Sequence, residues 1–468
     1  IVITEKEIQT RQYNSAVEVL AHQPGVILSQ NGPTGPSSLY LRGSDRTLLL
    51  VDGIPMYDPA GTGKGFNYML LGSLLDVDRV EVLNGPQSSL YGSSAMGGVV
   101  QIFTNNLNTP GTKLRLMAGS HDTFQTSAST TGKVGDLRYS LSGLFDSSRG
   151  IDATVDYAGK QPKDYDKDGY KNRQLSGRLN YLISEIFDVD ASFTYNNQYH
   201  RYDANSMYVN KNVDFHNKLF SGRVALNGQF FEDKLLSSLS YSVMNLKRED
   251  DGGWSSDHFT GRTQTIALDN ALNLYSDYET NFGFSYMHER GKITPKNFDR
   301  TQNTKGLYLE QNLNFSEKFF NTVGVRYDKN SAYGGKTTYR LTSRYNFSDS
   351  FALKGSYGTG FTTPTVPQLY YKNWGANPNL KAETSKGYDV GVEIRPTVNS
   401  IFAFSHFYTN YKEMIGYQNN RYVNLDRAKI KGFELAGSVE LNDHWALSGS
   451  YTYLDAKEKK AGGEYTKM

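Results

Sequence analysis

Phe187-Asp-Val-Asp-Ala-Ser-Phe-Thr-Tyr-Asn-Asn197 puts Phe187, Val189, Ala191, Phe193 and Tyr195 at alternate positions, with Asp188, Asp190, Ser192, Thr194 and Asn196 between them. A period of two sends successive side chains to opposite faces of a strand, so the segment has one apolar and one wet face. Residues 235–243 repeat the pattern, with Leu239, Tyr241 and Val243 opposite Ser238, Ser240 and Ser242, and residues 266–274 repeat it again. About 17 such segments of roughly 8–13 residues run between residues 113 and 454, long enough to cross a bilayer as tilted strands. Tight turns such as Ser184-Glu-Ile186, Glu232-Asp233, Ser276-Asp277, Phe347-Ser-Asp349 and Asn442-Asp-His444 alternate with long loops. The long loops are expected at roughly 148–173, 198–218, 247–261, 289–303, 359–385 and 411–428. A closed barrel with short turns at one rim and long loops at the other produces this rhythm. Strands of a soluble sandwich average about 5–6 residues and need no such alternation.

Composition agrees. The chain has 468 residues and a mean hydropathy of −0.57. It contains no stretch of about 18 apolar residues, which excludes a helical membrane protein. Fifty basic against 48 acidic residues leave a net charge of +2 and no electrostatic case for nucleic acid. The absence of Cys excludes disulfides and thiolate metal sites and suits an oxidising compartment. None of the eight His sits in a metal-ligand pair, and the Gly-rich runs lack the context of a phosphate loop, so nucleotide binding is not expected. Residues 1–107 read as a separate α+β domain. Ser15-Ala-Val-Glu-Val-Leu20 has helical spacing behind a Ser15 N-cap and stops at Pro24-Gly25. Short β runs are expected near 25–28, 39–42, 48–51 and 80–83, with exposed Gly-rich loops at 31–38 and 59–65.

Asp164-Tyr-Asp-Lys-Asp-Gly169, in the first long loop, alternates carboxylates ahead of a Gly. Such a run can wrap a hard cation such as Ca²⁺, which takes 6–8 oxygens. The twelfth position is Leu175 where an EF-hand needs Glu, so further oxygens must come from elsewhere. Tyr202-Asp203 and Glu249-Asp-Asp251 lie in the next two long loops, on the same side of the barrel. In the first domain, the segment from Met56 to Asn67 and the Gly-rich loop at 31–38 combine aromatic area, polar tips and Gly. Asn31, Tyr57 and Asp58 are the ligand-binding candidates there.

Six stretches carry a family resemblance. Leu39-Tyr-Leu-Arg-Gly43, Leu50-Val-Asp-Gly-Ile-Pro-Met56 and residues 80–103 (VEVLNGPQSSLYGSSAMGGVVQIF) resemble the plug domain of TonB-dependent outer-membrane receptors. Ser356-Tyr-Gly-Thr-Gly-Phe-Thr-Thr-Pro-Thr365, Asn377-Pro-Asn-Leu-Lys-Ala-Glu-Thr-Ser385 and Lys429-Ile-Lys-Gly-Phe-Glu434 resemble its barrel signatures. The resemblance implies an all-β transmembrane barrel of 22 strands, about 17 of them in this chain, around an N-terminal α+β plug. The domains would be a plug over 1–107 and a barrel over 108–468.

The resemblance also implies function. It points to a non-enzymatic, monomeric transport receptor of the bacterial outer membrane, set in the lipid bilayer and driven by the TonB complex of the inner membrane. Gln30-Asn-Gly to Ser38, Tyr202-Asp-Ala204, Gln368-Leu-Tyr370 and residues 427–434 are most similar to cobalamin receptors, so cobalamin is the preferred ligand. A ferric siderophore or haem is the alternative within the family. An outer-membrane enzyme or an adhesin is the alternative outside it. By the same resemblance Asp164, Asp166, Asp168, Asp203, Asp250 and Asp251 would bind calcium. Arg42 would join Glu383 and Glu434 in a plug–barrel ion cluster, since a guanidinium fork can bridge two carboxylates. The family's second Arg is expected before Gly-Pro, where this chain has Asn84-Gly-Pro86. Against a 22-stranded family, the length further predicts a fragment: an open-edged sheet lacking about five strands and the TonB-contact segment.

Overall fold

The structure, a computed structural model, describes residues 1–30, 37–63, 67, 71–72, 74–104, 107–152, 167–203, 212–251, 257–275, 278–459 and 463–467. The N-terminal domain contains β1 (Val2–Thr4), α1 (Glu5–Thr10), α2 (Ala16–Ala21), β2 (Val26–Gln30), β3 (Ser37–Leu41), β4 (Thr47–Val51), β5 (Ile54–Met56), β6 (Val77–Asn84), α3 (Ser88–Tyr91) and β7 (Gly98–Thr104). Its main sheet has the order β1-β6-β7-β4-β5, with β4 parallel to β7, and β2 and β3 form a separate hairpin. Ser15 caps α2 as expected, its Oγ accepting from the Glu18 amide at 3.2 Å. All five residues of β4 are buried, and Ile3, Val80, Val82, Val100, Ile102 and Leu49 form the core around it. The elements that alternation and capping did not reveal, β1, α1, β5, α3 and β7, are short or buried on both faces.

The second domain is a wide barrel. Its first half is β8 (Gly111–Gly119), β9 (Thr123–Val134), β10 (Leu137–Ser148), β11 (Tyr170–Leu182), β12 (Phe187–Asp203), β13 (Asn212–Phe230), β14 (Leu235–Asp251), β15 (Asp257–Tyr275) and β16 (Tyr278–Thr294). The second half is β17 (Phe298–Ser316), β18 (Phe319–Asn330), β19 (Gly334–Ser348), β20 (Phe351–Thr362), β21 (Glu383–Ile394), β22 (Ser400–Gln418), β23 (Arg421–Asn442), β24 (Trp445–Lys459) and β25 (Tyr465–Lys467). The α4 turn (Val366–Tyr370) lies between β20 and β21. Alternation directs Leu239, Tyr241, Ile266, Leu268, Leu307, Val323 and Val325 outward, where they are 41–62% exposed, as a lipid-facing belt requires. By the same alternation β10–β13 turn Ser140, Ser142, Ser176, Asn196, Gln198, Asn217 and Ser221 inward, toward the N-terminal domain that fills the lumen.

Two expectations are corrected. The sheet was expected to have an open edge, but its order is a closed ring of eighteen strands in which β25 stands between β24 and β8. The closure is thin: β25 supplies three residues, and 445–450 of β24 and 111–114 of β8 are exposed on both faces. The segments at 289–303 and 411–428 are also not long loops. β16 and β17 pair as far as Ile293 opposite Phe298, and β22 and β23 as far as Gln418 opposite Arg421. Above the bilayer no lipid imposes an apolar face, so the alternation fades while the hydrogen-bonded ladder continues.

Candidate functional site: the plug clamps and the outer mouth

Strand β3 ends in a tight turn in which Leu41 and Ser44 exchange backbone hydrogen bonds of 2.9 Å. Arg42 and Gly43 occupy its centre with φ of 48° and 80°. The turn carries two arginines to the barrel wall. Arg42 donates to Glu434 through Nε (2.9 Å) and Nη2 (2.6 Å), reaches Asp389 through Nη1, and lies 4.1 Å from the centre of the Phe407 ring. Arg46 donates to both oxygens of Glu383 at 2.8 and 2.9 Å, and Glu383 also accepts from the Ile415 amide at 2.6 Å. Burial alone would lower the pKa of both guanidiniums. Hydrogen bonding to Glu434 and the field of Asp389 outweigh it at Arg42, and Glu383 and Asp45 do so at Arg46, so both stand above their ordinary value.

The expected cluster is therefore present with a different partition. Arg42 bridges Glu434 and Asp389, while Glu383 belongs to Arg46. A second arginine does complete the set, supplied four residues after the first instead of ahead of Gly-Pro. Asp389 shares its strand parity with Glu383, which was the available signal; Arg46 follows a turn and had none.

Two further contacts hold the plug. Asp76 is buried, and its Oδ2 accepts from Ser142 and Ser176 of the wall at 2.5 and 2.6 Å; burial pushes its pKa up. On the other side, Arg326 Nη1 donates to the Leu90 carbonyl at the end of α3 (3.3 Å), while its Nε is held by the buried Asp328 at 2.9 Å.

At the long-loop end, residues 56–62 of the plug meet the wall and the α4 loop. Asp58 is 6% exposed, with Oδ1 accepting from the Ala60 amide (2.8 Å) and Oδ2 from Arg248 Nη1 (2.8 Å). Tyr57 is 3% exposed, with its hydroxyl 3.2 Å from Met287 Sδ, and burial raises its pKa well above the phenolic range. Both ligand candidates are thus tied into the plug–barrel contact and do not open onto the mouth in this conformation; Asn31 lies outside the described residues. Gln368 of α4 donates to the Thr62 carbonyl at 2.6 Å. Packed into this contact, Arg248 lies 4.2 Å over Phe259, Phe259 stacks on Trp374 (5.8 Å), Trp374 meets Tyr371 (4.9 Å), and Tyr371 meets Phe298 (5.0 Å); Phe259, Tyr371 and Phe298 are buried with Ala60, and Trp374 is half-buried. Arg248 and this aromatic row carry no local sequence signal, because together they come from four separate segments: β14, β15, β17 and residues 371–374.

The expected calcium ligands divide. Asp164, Asp166 and the Asp203 side chain lie outside the described residues. Asp168 is fully buried, Asp250 stands 3.5 Å from Arg248, and Asp251 pairs in register with Asp214. Among the described residues, no group of three or more His, Asp or Glu side chains could hold a metal.

An eighteen-stranded ring with an apolar outer belt, stoppered by a domain clamped through Arg–carboxylate pairs, defines a plugged transmembrane barrel. Residues 1–99 match the TonB-dependent receptor plug domain and residues 107–467 the TonB-dependent receptor-like β-barrel, so the chain belongs to the TonB-dependent receptors. These are transport receptors of the bacterial outer membrane that work with TonB. Solved structures share the fold at low identity. The siderophore receptor PirA from Pseudomonas aeruginosa has a TM-score of 0.77 at 20% identity, over 97% of this chain and 85% of that one. The ferric enterobactin receptor PfeA, also from Pseudomonas aeruginosa, has a TM-score of 0.78 at 19%, over 97% and 79%. The FrpB iron transporter from Neisseria meningitidis has 0.79 at 14%, over 97% and 79%.

Proposed function

We propose that this receptor imports an anionic ferric siderophore bearing aromatic rings. The observation that carries the proposal is the aromatic cluster at the plug contact: Phe259, Tyr371 and Phe298 are buried in it, and Trp374, half-buried, is the ring it leaves partly open at the long-loop end. The partly open face of Trp374 can stack on a catechol-like ring. The names of the similar solved structures, two siderophore receptors and an iron transporter, support the same ligand class over cobalamin. Ferric enterobactin is the probe, read by tryptophan fluorescence with cyanocobalamin in parallel. Saturable quenching by the ferric complex is expected, and Trp374→Ala should weaken binding by roughly 10–100-fold, as loss of an aromatic anchor does. Binding of cyanocobalamin but not the ferric complex would overturn the proposal.

Calcium is a separate proposal resting on Asp164, Asp166 and Asp168. Millimolar calcium is expected to protect the chain between residues 153 and 166 from proteolysis, and Asp164→Asn with Asp166→Asn should abolish the protection; cleavage at equal rates with and without calcium would exclude the site.

A further inference from the structure

The outer face of the barrel carries a basic band between its apolar belt and the long-loop rim. Toward that rim on β13–β18, the outward apolar residues end at Phe220, Val243, Ile266, Tyr286, Leu307 and Tyr327. Two to four residues beyond them stand Lys218, Lys247, Arg262, Arg290, Lys305 and Lys329, all exposed. Strand pairing sets these six in three couples of like charge: Lys218 opposite Lys247, Arg262 opposite Arg290, and Lys305 opposite Lys329. Like charges directly across a ladder destabilise it. Among the described residues, the one ion pair in these couples is that of Arg290, whose Nε donates to Asp299 at 2.7 Å. Glu249, on the same face, stands 3.8 Å from His258. Among the described residues, no carboxylate pairs with the two lysine couples or with Arg262.

Depth decides which anion. The couples adjoin side chains that touch acyl chains, at the level where lipid headgroups lie, and the long-loop rim of such a barrel is the extracellular one. We propose that this band is a docking surface for phosphorylated lipid headgroups of the surrounding outer leaflet, with a phosphate seated between the cations of a couple. Opposite Cβ atoms in a ladder are about 4.5–5.5 Å apart, so one phosphate can accept from both side chains.

Native mass spectrometry of the detergent-purified receptor tests this, with diphosphoryl lipid A and the same lipid after phosphatase treatment as probes. At least a roughly tenfold preference for the phosphorylated lipid is expected. Replacing Lys218, Lys247, Lys305 and Lys329 together by Gln should remove that preference, with the slow-migrating unfolded form on unheated gels as the folding control. Should that variant fail to assemble, K305Q with K329Q carries the same test, with a loss of roughly tenfold expected. Equal retention of the dephosphorylated lipid would overturn the proposal, as would a preference that survives in a folded variant. Displacement of the lipid by millimolar inorganic phosphate would also overturn it, since the band would then hold a free anion.

Discussion

Glu434→Ala is expected to loosen the plug by about 3–5 kcal/mol, the cost of leaving a buried charge without its partner. Arg42 is 9% exposed and gives two of its donors to Glu434; Asp389, whose side chain is 25% exposed, would be the carboxylate left to it. Because Arg42 stays protonated, relief by titration is closed to it and the strain must appear as plug movement. The measurement is the urea midpoint of plug unfolding, followed by a spin label on α2, together with small-solute leakage through the reconstituted receptor. A lower midpoint and greater leakage are expected, with the barrel transition unchanged. Arg42→Met combined with Glu434→Leu and Asp389→Asn, which leaves no carboxylate of the cluster unpaired, should recover most of the lost stability, because well-packed apolar groups replace a buried pair at little cost. An unchanged midpoint for Glu434→Ala would show that the pair does not hold the plug.

Much of this fold was legible because a bilayer makes the sequence alternate. Where lipid touches one face and the wet lumen the other, as in 187–197 and 235–243, inward and outward residues follow from parity alone, and the short turns mark one rim. Above the membrane both faces are wet, so the strands through 289–303 and 411–428 left no period-two signal. The clamp was legible in kind but not in partners. Glu383 and Glu434 point inward by parity, and so does Asp389, but parity does not say which guanidinium each will meet. That depends on the turn at Arg42 and Gly43, whose positive φ values carry Arg42 to Glu434 and, after Ser44 and Asp45, bring Arg46 to Glu383. Tyr57 and Asp58 have the composition of a ligand loop. Their burial comes from Arg248 and the α4 loop, nearly 200 and 300 residues away, which local composition does not reveal.

Gly25→Ala reaches the same clamp from the plug side and should cost nearly as much. Gly25 holds φ at 72°, its carbonyl accepts from the Arg42 amide at 2.7 Å, and its own amide donates to Thr452 Oγ1 at 3.0 Å. A Cβ placed there would stand 2.2 Å from Glu434 Oε1 and 3.2 Å from Arg42 Cγ. A carboxylate at the end of a flexible side chain ordinarily swings away at little cost. This one is fixed by two hydrogen bonds to Arg42, so to withdraw it must give up the pair. The expected cost combines about 1–2 kcal/mol for a left-handed Ala with a large part of the pair's roughly 3–5 kcal/mol. In the Glu434→Ala background the obstructing oxygen is gone, and Gly25→Ala should cost only the conformational share. The double-mutant cycle, read from urea midpoints of the plug, should therefore show a coupling of about 2–3 kcal/mol. Equal costs in both backgrounds would mean that Glu434 can move aside freely, and the buried pair would then be a contact of this conformation and not a clamp.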